Sequence, residues 1–237
     1  MKTFRLILLA VLSLFLLQSC FMNGVTGSRN VTSESRTITQ DFDRIDVSQG
    51  IDVYFTQDNE VSLTIELDDN LHELLVTEVK DGVLDIYFDS PVFKRKSSKV
   101  YVSGPRLYGV SASSGSSFES QNIIETGDIN LDCSSGADID INLVADNVDI
   151  SSSSGSDVNV QGRCNYVSAD SSSGSDIDAS ELESLEGKAN ASYGSDLTIF
   201  VTEKVTANAS SGADISVKGH PKETNIDKSS GGDVSIF

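Results

Sequence analysis

Apolar and polar positions alternate along this chain in a pattern that repeats. From residue 115 onward a glycine returns at Gly115, Gly136, Gly155, Gly174, Gly194, Gly212 and Gly231, at intervals of 21, 19, 19, 20, 18 and 19 residues. A near-constant period of this size is the signature of a solenoid and outranks local propensity. Three residues beyond each glycine stand Phe118, Ile139, Val158, Ile177, Leu197, Ile215 and Val234, all apolar. Five beyond stand Ser120, Ile141, Val160, Ala179, Ile199, Val217 and Ile236, nearly all apolar, and no residue between the two rows is apolar. That is the period-2 alternation of a strand with one buried face. Five residues before each glycine lie Val110, Leu131, Ile150, Ala169, Ala189, Ala207 and Ile226, and three before lie mostly small residues such as Ala112, Cys133, Ser152 and Ala191. Each repeat therefore reads as strand, tight turn, strand and loop, with small residues where two faces of a coil converge.

A rung of about 19 residues cannot bury its own apolar face, whereas stacked rungs share one continuous core. The pattern predicts an all-β fold: a single-stranded parallel β-helix, right-handed by the general crossover preference. An antiparallel sandwich would need hairpin signals between successive strands, and a propeller blade needs about twice this period. In "SSGSD" the glycine supplies a positive φ at least cost, and the flanking serines satisfy turn amides or one another along the stack.

Residues 37–109 are β-rich without the repeat. "IDVYF" and "VSLTIEL" alternate around the turn "TQDNE", and "LLVTEVK" and "VLDIYF" flank Asp81-Gly82, a two-residue hairpin signal. This block is expected to form irregular coils that cap the regular repeats of 110–237, with "KRKSSK" (Lys94 to Lys99) as a solvated loop. At the other end the strand pattern runs to Phe237. There the expectation is that Phe237 folds over the last rung, or that the C-terminal rung self-associates with another chain.

The first residues follow another logic. Lys2 and Arg5 precede the apolar run "LILLAVLSLFLL", and Leu17-Gln18-Ser19-Cys20 resembles a bacterial lipobox. Residues 1–19 then form a lipoprotein signal peptide, Cys20 is the lipidation site, and residues 20–36 are a flexible tether before a folded domain at 37–237. No acidic residue directly follows Cys20, which favours an outer-membrane lipoprotein facing the periplasm or the cell surface. Cys133 and Cys164 fall at different phases of different repeats, so buried thiols are expected rather than a disulfide.

Charge narrows the partners. Acidic residues outnumber basic ones 36 to 17, for a net charge of -19, which disfavours nucleic acid. Two residues after the glycines stand Asp138, Asp157, Asp176, Asp196, Asp214 and Asp233, with Ser117 in the first repeat. Stacked carboxylates repel, so the row needs compensation. It comes from turn N–H and serine hydroxyl donors, the favoured reading, or from a bound cation such as Ca²⁺, a weak candidate site. No other cofactor is implied. His72 and His220 are far apart in sequence, and no catalytic triad, metal cluster or phosphate loop is present. The sequence therefore reads as a non-enzymatic binding, adhesion or structural protein, with a glycan or an envelope or surface protein as partner. The alternatives are a lyase-like polysaccharide-active β-helix and a Ca²⁺-stabilised carbohydrate-binding module. Tyr193 replaces the serine before a turn glycine and is expected to be exposed, a ligand contact.

"FDRIDVSQGIDVYFTQ", the "EVKDGVLDIYF" hairpin, "VYVSGPRL" and the serial "SSGSD" turns together resemble the DUF2807 family, the head GIN domain of autotransporter adhesins. The resemblance spans roughly residues 37–237. It implies a β-helical exported protein, often a lipoprotein, with no established enzymatic activity and no catalytic residues to carry over.

Overall fold

The computed structural model describes residues 24–237; the predicted signal peptide and Cys20 lie outside the described residues. Within it the repeat alignment is the strand register. Phe118, Ile139, Val158, Ile177, Leu197, Ile215 and Val234 stand directly above one another in parallel ladders. Val110, Leu131, Ile150, Ala169, Ala189, Ala207 and Ile226 form the matching row on the other face. All these side chains except Ile226 are buried. A fully buried Val, Leu or Ile contributes about 1.5–3 kcal/mol, so one inward row already carries much of the stability. The result is a parallel β-solenoid with a single continuous core.

The segments between repeats are strand rather than loop in the middle of the stack. Asp157–Ser172, Asp176–Ser192 and Asp196–Ala209 each run unbroken from one turn to the next. Register shifts between Asn159 and Gln161, Ala179 and Glu183, and Ser184 and Glu186 absorb the unequal repeat lengths. At one such bend Gly162 has φ +118°, and a Cβ there would collide with the carbonyl of Leu143, so only glycine fits.

Stacking order departs from chain order at the N-terminal end. The coil formed by Arg44–Val47 and Asp52–Gln57 sits between one made of Val83–Phe88 and Ser98–Gly104 and one made of Gly109–Ala112 and Ser117–Ser120. The cap beyond it is antiparallel. Leu75–Lys80 folds back on Val83–Phe88 through Asp81 and Gly82, both at positive φ, as the hairpin signal predicts. Ser62–Asp68 pairs with Ser98–Gly104, and Val31–Arg36 pairs with Ser62–Asp68. Strands Asp52–Gln57 and Ser62–Asp68 are therefore not neighbours, because Ser98–Gly104 lies between them.

Three expectations are corrected. Of the segment read as a tether, residues 25–26 pair with Val92–Phe93, and Val31–Arg36 is a cap strand. The "KRKSSK" stretch is not simply a solvated loop. The Arg95 guanidinium donates to the carbonyls of Gln49 and Gly50 and to Ser98 Oγ, and lies 5.4 Å from the centre of the Phe88 ring. Beside it the buried Asp68 carboxylate accepts from the amides of Arg29, Lys96 and Ser97. Phe237 does not fold over the last rung; it is 61% exposed. Cys133 and Cys164 are free and buried, as expected.

Candidate functional site

Each corner is built by two successive residues in the left-handed region. Besides the glycines, Gln49, Ser114, Ser135, Ser154, Ser173, Tyr193, Ser211 and Ser230 all have φ between +49° and +62°. Two central residues at positive φ define a type I′ turn, and the closing bond is present, as from the Ser116 amide to the Ser113 carbonyl (3.3 Å). Gln49-Gly50 is the same corner in the first coil, followed by Asp52 in the aspartate row. The signal for it was in "VSQGID", whose spacing matches "SSGSD".

The serine after the turn glycine points inward. Ser116, Ser156, Ser175 and Ser195 are buried. Ser175 Oγ accepts from the Ser172 amide (3.1 Å), and it lies 2.8 Å from the Ser172 carbonyl and 2.9 Å from the Ser152 carbonyl of the coil before. Ser171 and Ser175 hydroxyls meet at 2.9 Å. These hydroxyls lock corners to one another and are unavailable as nucleophiles.

The aspartates point outward, in register from Asp138 through Asp157, Asp176, Asp196 and Asp214 to Asp233. The serines directly after the turn glycines donate to backbone carbonyls rather than to these aspartates. The row is relieved at its two ends, where Ser117 Oγ donates to Asp52 (2.8 Å) and Lys228 binds Asp233 (2.7 Å). Burial, then the charges of Asp157 and Asp52, raise the Asp138 carboxyl above its ordinary value. Burial, then Asp196, Asp157 and Asp178, raise Asp176 likewise. Lys228 lowers Asp233. Among the described residues no group of three or more His, Cys, Asp or Glu side chains is gathered to hold a metal ion.

Beside the turns, a groove of about 490 Å³ runs along the stack, with Asp132, Ser151, Asp170, Asn190 and Asn208 along its wall. These polar side chains order one another, Asn190 donating to Asp170 (2.6 Å) and Asn208 to Asn190 (2.8 Å). Tyr193 follows the groove residue Ser192, is 70% exposed as expected, and holds φ +56°. A bulky residue there is strained, and backbone strain of this kind concentrates at binding sites. His72 is buried in the cap against Thr32 (Nε2 to Oγ1 3.0 Å). Its Nδ1 lies 3.3 Å from a Glu34 oxygen without the alignment of a hydrogen bond.

The sequence model of DUF2807, described as "Putative auto-transporter adhesin, head GIN domain", matches residues 41–221. Comparison with curated proteins gives no match. Among solved structures, a putative adhesin from Bacteroides fragilis is 22% identical with a TM-score of 0.84, covering 90% of this chain and 100% of its own. A putative lipid binding protein from Parabacteroides distasonis is 20% identical (TM-score 0.71; 90% and 99% covered). A putative adhesin from Parabacteroides merdae is 19% identical (TM-score 0.68; 90% and 98% covered). At these identities the likeness is one of fold.

Proposed function

The chain belongs to the DUF2807 family, and from that premise we propose that it is a lipid-anchored outer-membrane protein that binds a glycan or surface protein through the turn side of its solenoid. One observation carries this reading: Tyr193, held in strained backbone at the edge of an ordered Ser/Asp/Asn groove where the other turns of the stack present Ser or Gln. An exposed tyrosine offers a flat apolar face and a polar tip at low entropic cost, the composition favoured at binding surfaces. The lipobox-like Leu17-Gln18-Ser19-Cys20 supplies the anchor, and among the described residues no helix is long and apolar enough to cross a membrane.

Binding is favoured over polysaccharide cleavage. The repeats hold one arginine, Arg163, and an acidic surface repels the polyanions that β-helical lyases act on. The test is capture from intact envelope by the full chain, with protease accessibility on whole cells. Retention of a partner by the native chain and its loss in Tyr193→Ala support the reading; equal capture by both proteins overturns it. A second contact, between copies of this chain, is favoured by the unpaired ladder edges of Glu223–Lys228 and Asp233–Ile236 and the exposed Ile226, Ile236 and Phe237. Sedimentation as a concentration-independent monomer overturns that part.

A further inference from the structure

A second concave face, about 750 Å³, lies on the strands before the turns and takes in Arg44, Tyr108, Asn130, Asn147 and Tyr166. It is separate from the groove beside Tyr193 and shares no lining residue with it. The outward row at this point reads Arg44, Gly109, Asn130, Asp149 in register. Gly109 is buried, and having no side chain it leaves room for the Arg44 stem to lie against its backbone. A Cβ there would meet the Arg44 stem at 3.4 Å and the Asn130 carbonyl at 3.5 Å.

Two tyrosines frame the depression. Tyr108 precedes Gly109 in one coil, and Tyr166 stands in register with Asn147 and Asp128 three coils further on. Three rung spacings place their backbones about 14 Å apart along the axis, more than a single sugar ring spans. Between them the polar groups are held in place, Asn147 donating to Asp128 (2.6 Å) and Asn130 to Asp132 (2.6 Å). Burial, then the charges of Asp149, Glu186 and Asp170, raise the Tyr166 phenol above its ordinary value. All of these groups except Tyr108 project from paired strands, the rigid support that a preorganised site requires.

We propose that this face binds an uncharged oligosaccharide laid along the solenoid axis, with sugar faces on Tyr108 and Tyr166 and hydroxyls on Asn130, Asn147 and Arg44. Aromatic faces with a few fixed polar groups in a concave surface are the chemistry that recognises a sugar's apolar face and its ring of hydroxyls. Asp128 and Asp149 in the same face repel polyanions, so a neutral chain fits and a uronate chain does not.

The experiment is isothermal titration of the full chain in detergent with cellotetraose, xylotetraose, chitotetraose and tetragalacturonate. Binding of at least one neutral tetrasaccharide is expected. Tyr166→Ala and Tyr108→Ala each weaken it tenfold or more. Circular dichroism checks the fold of each variant; should Tyr108→Ala misfold, Tyr166→Ala and Asn147→Ala decide. The proposal is overturned if no neutral tetrasaccharide binds, if only tetragalacturonate binds, or if the folded tyrosine variants bind as the native chain does.

Discussion

Tyr193 occupies a left-handed position that costs a non-glycine residue about 1–2 kcal/mol. Asparagine tolerates that conformation better, so Tyr193→Asn is expected to raise stability by about 0.5 kcal/mol in urea unfolding while removing partner capture. A mutation that stabilises and disables at once is the mark of strain kept for binding. Asp176 makes the opposite kind of prediction. Its carboxyl, ordinarily 3.8, is raised in the fold by burial and by the stacked Asp196, Asp157 and Asp178. A raised acid holds its proton more tightly when folded, so its contribution favours the fold at low pH and is lost as pH climbs through the raised value. Solvent screens this exposed carboxyl, so Asp176→Asn should stabilise by only about 0.3 kcal/mol at pH 7, with the gain vanishing below pH 3.8, as thermal melts at several pH values would register. Burial pushes the Cys133 thiol to about 11 and the Cys164 thiol to about 12. Neither is expected to react with a thiol reagent at pH 8 until denaturant is added. The exposure of Tyr193 and the outward aspartates were legible in the sequence, because position in a repeat fixes which way a side chain points. The left-handed serines were not, since serine suits several turn types.

At the scale of elements, the corner depends on its inward serine. Removing the hydroxyl in Ser175→Ala takes one partner from the part-buried Ser172 amide and one from the Ser152 carbonyl. Yet Ala137 and Ala213 close the same corner without one, so a cost of about 1 kcal/mol is expected. Arg95→Ala should cost more, about 2 kcal/mol, because charge-assisted bonds to the first corner are lost and the cap frays. Amide exchange at Gln49 and Gly50 would report it. The stacking of the repeats was readable because inward residues recur at fixed offsets and parallel ladders preserve them. The cap was readable only as strands. Alternation in Asp52–Gln57 and Ser62–Asp68 says which face is buried, but nothing in it announces that Ser98–Gly104 will slip between them. Arg95 was hidden in a run of basic residues whose neighbours stay in solvent.

For the whole molecule, the interleaved order of the first coils ties the N-terminal third to the rest. A chain starting at residue 105 would expose the ladder edges of Gly109–Ala112 and Ser117–Ser120. It is expected to aggregate rather than fold as a shorter solenoid, which light scattering on refolding would detect. The face between Tyr108 and Tyr166 escaped sequence reasoning for a related reason. It spans four coils, and its residues meet only through the stacking register. The N-terminal strand has a mechanical side as well. If an anchored molecule is pulled by what it holds, tension enters at residue 24 and meets the two-residue pairing of Val25–Thr26 with Val92–Phe93 first. Next comes the six-residue ladder of Val31–Arg36, on the outer edge of the cap. Both lie outside the stacked coils, so they act as a fuse: stretching the molecule should release residues 24–36 as a small early rupture, while the coils that carry Tyr108, Tyr166 and Tyr193 stay folded.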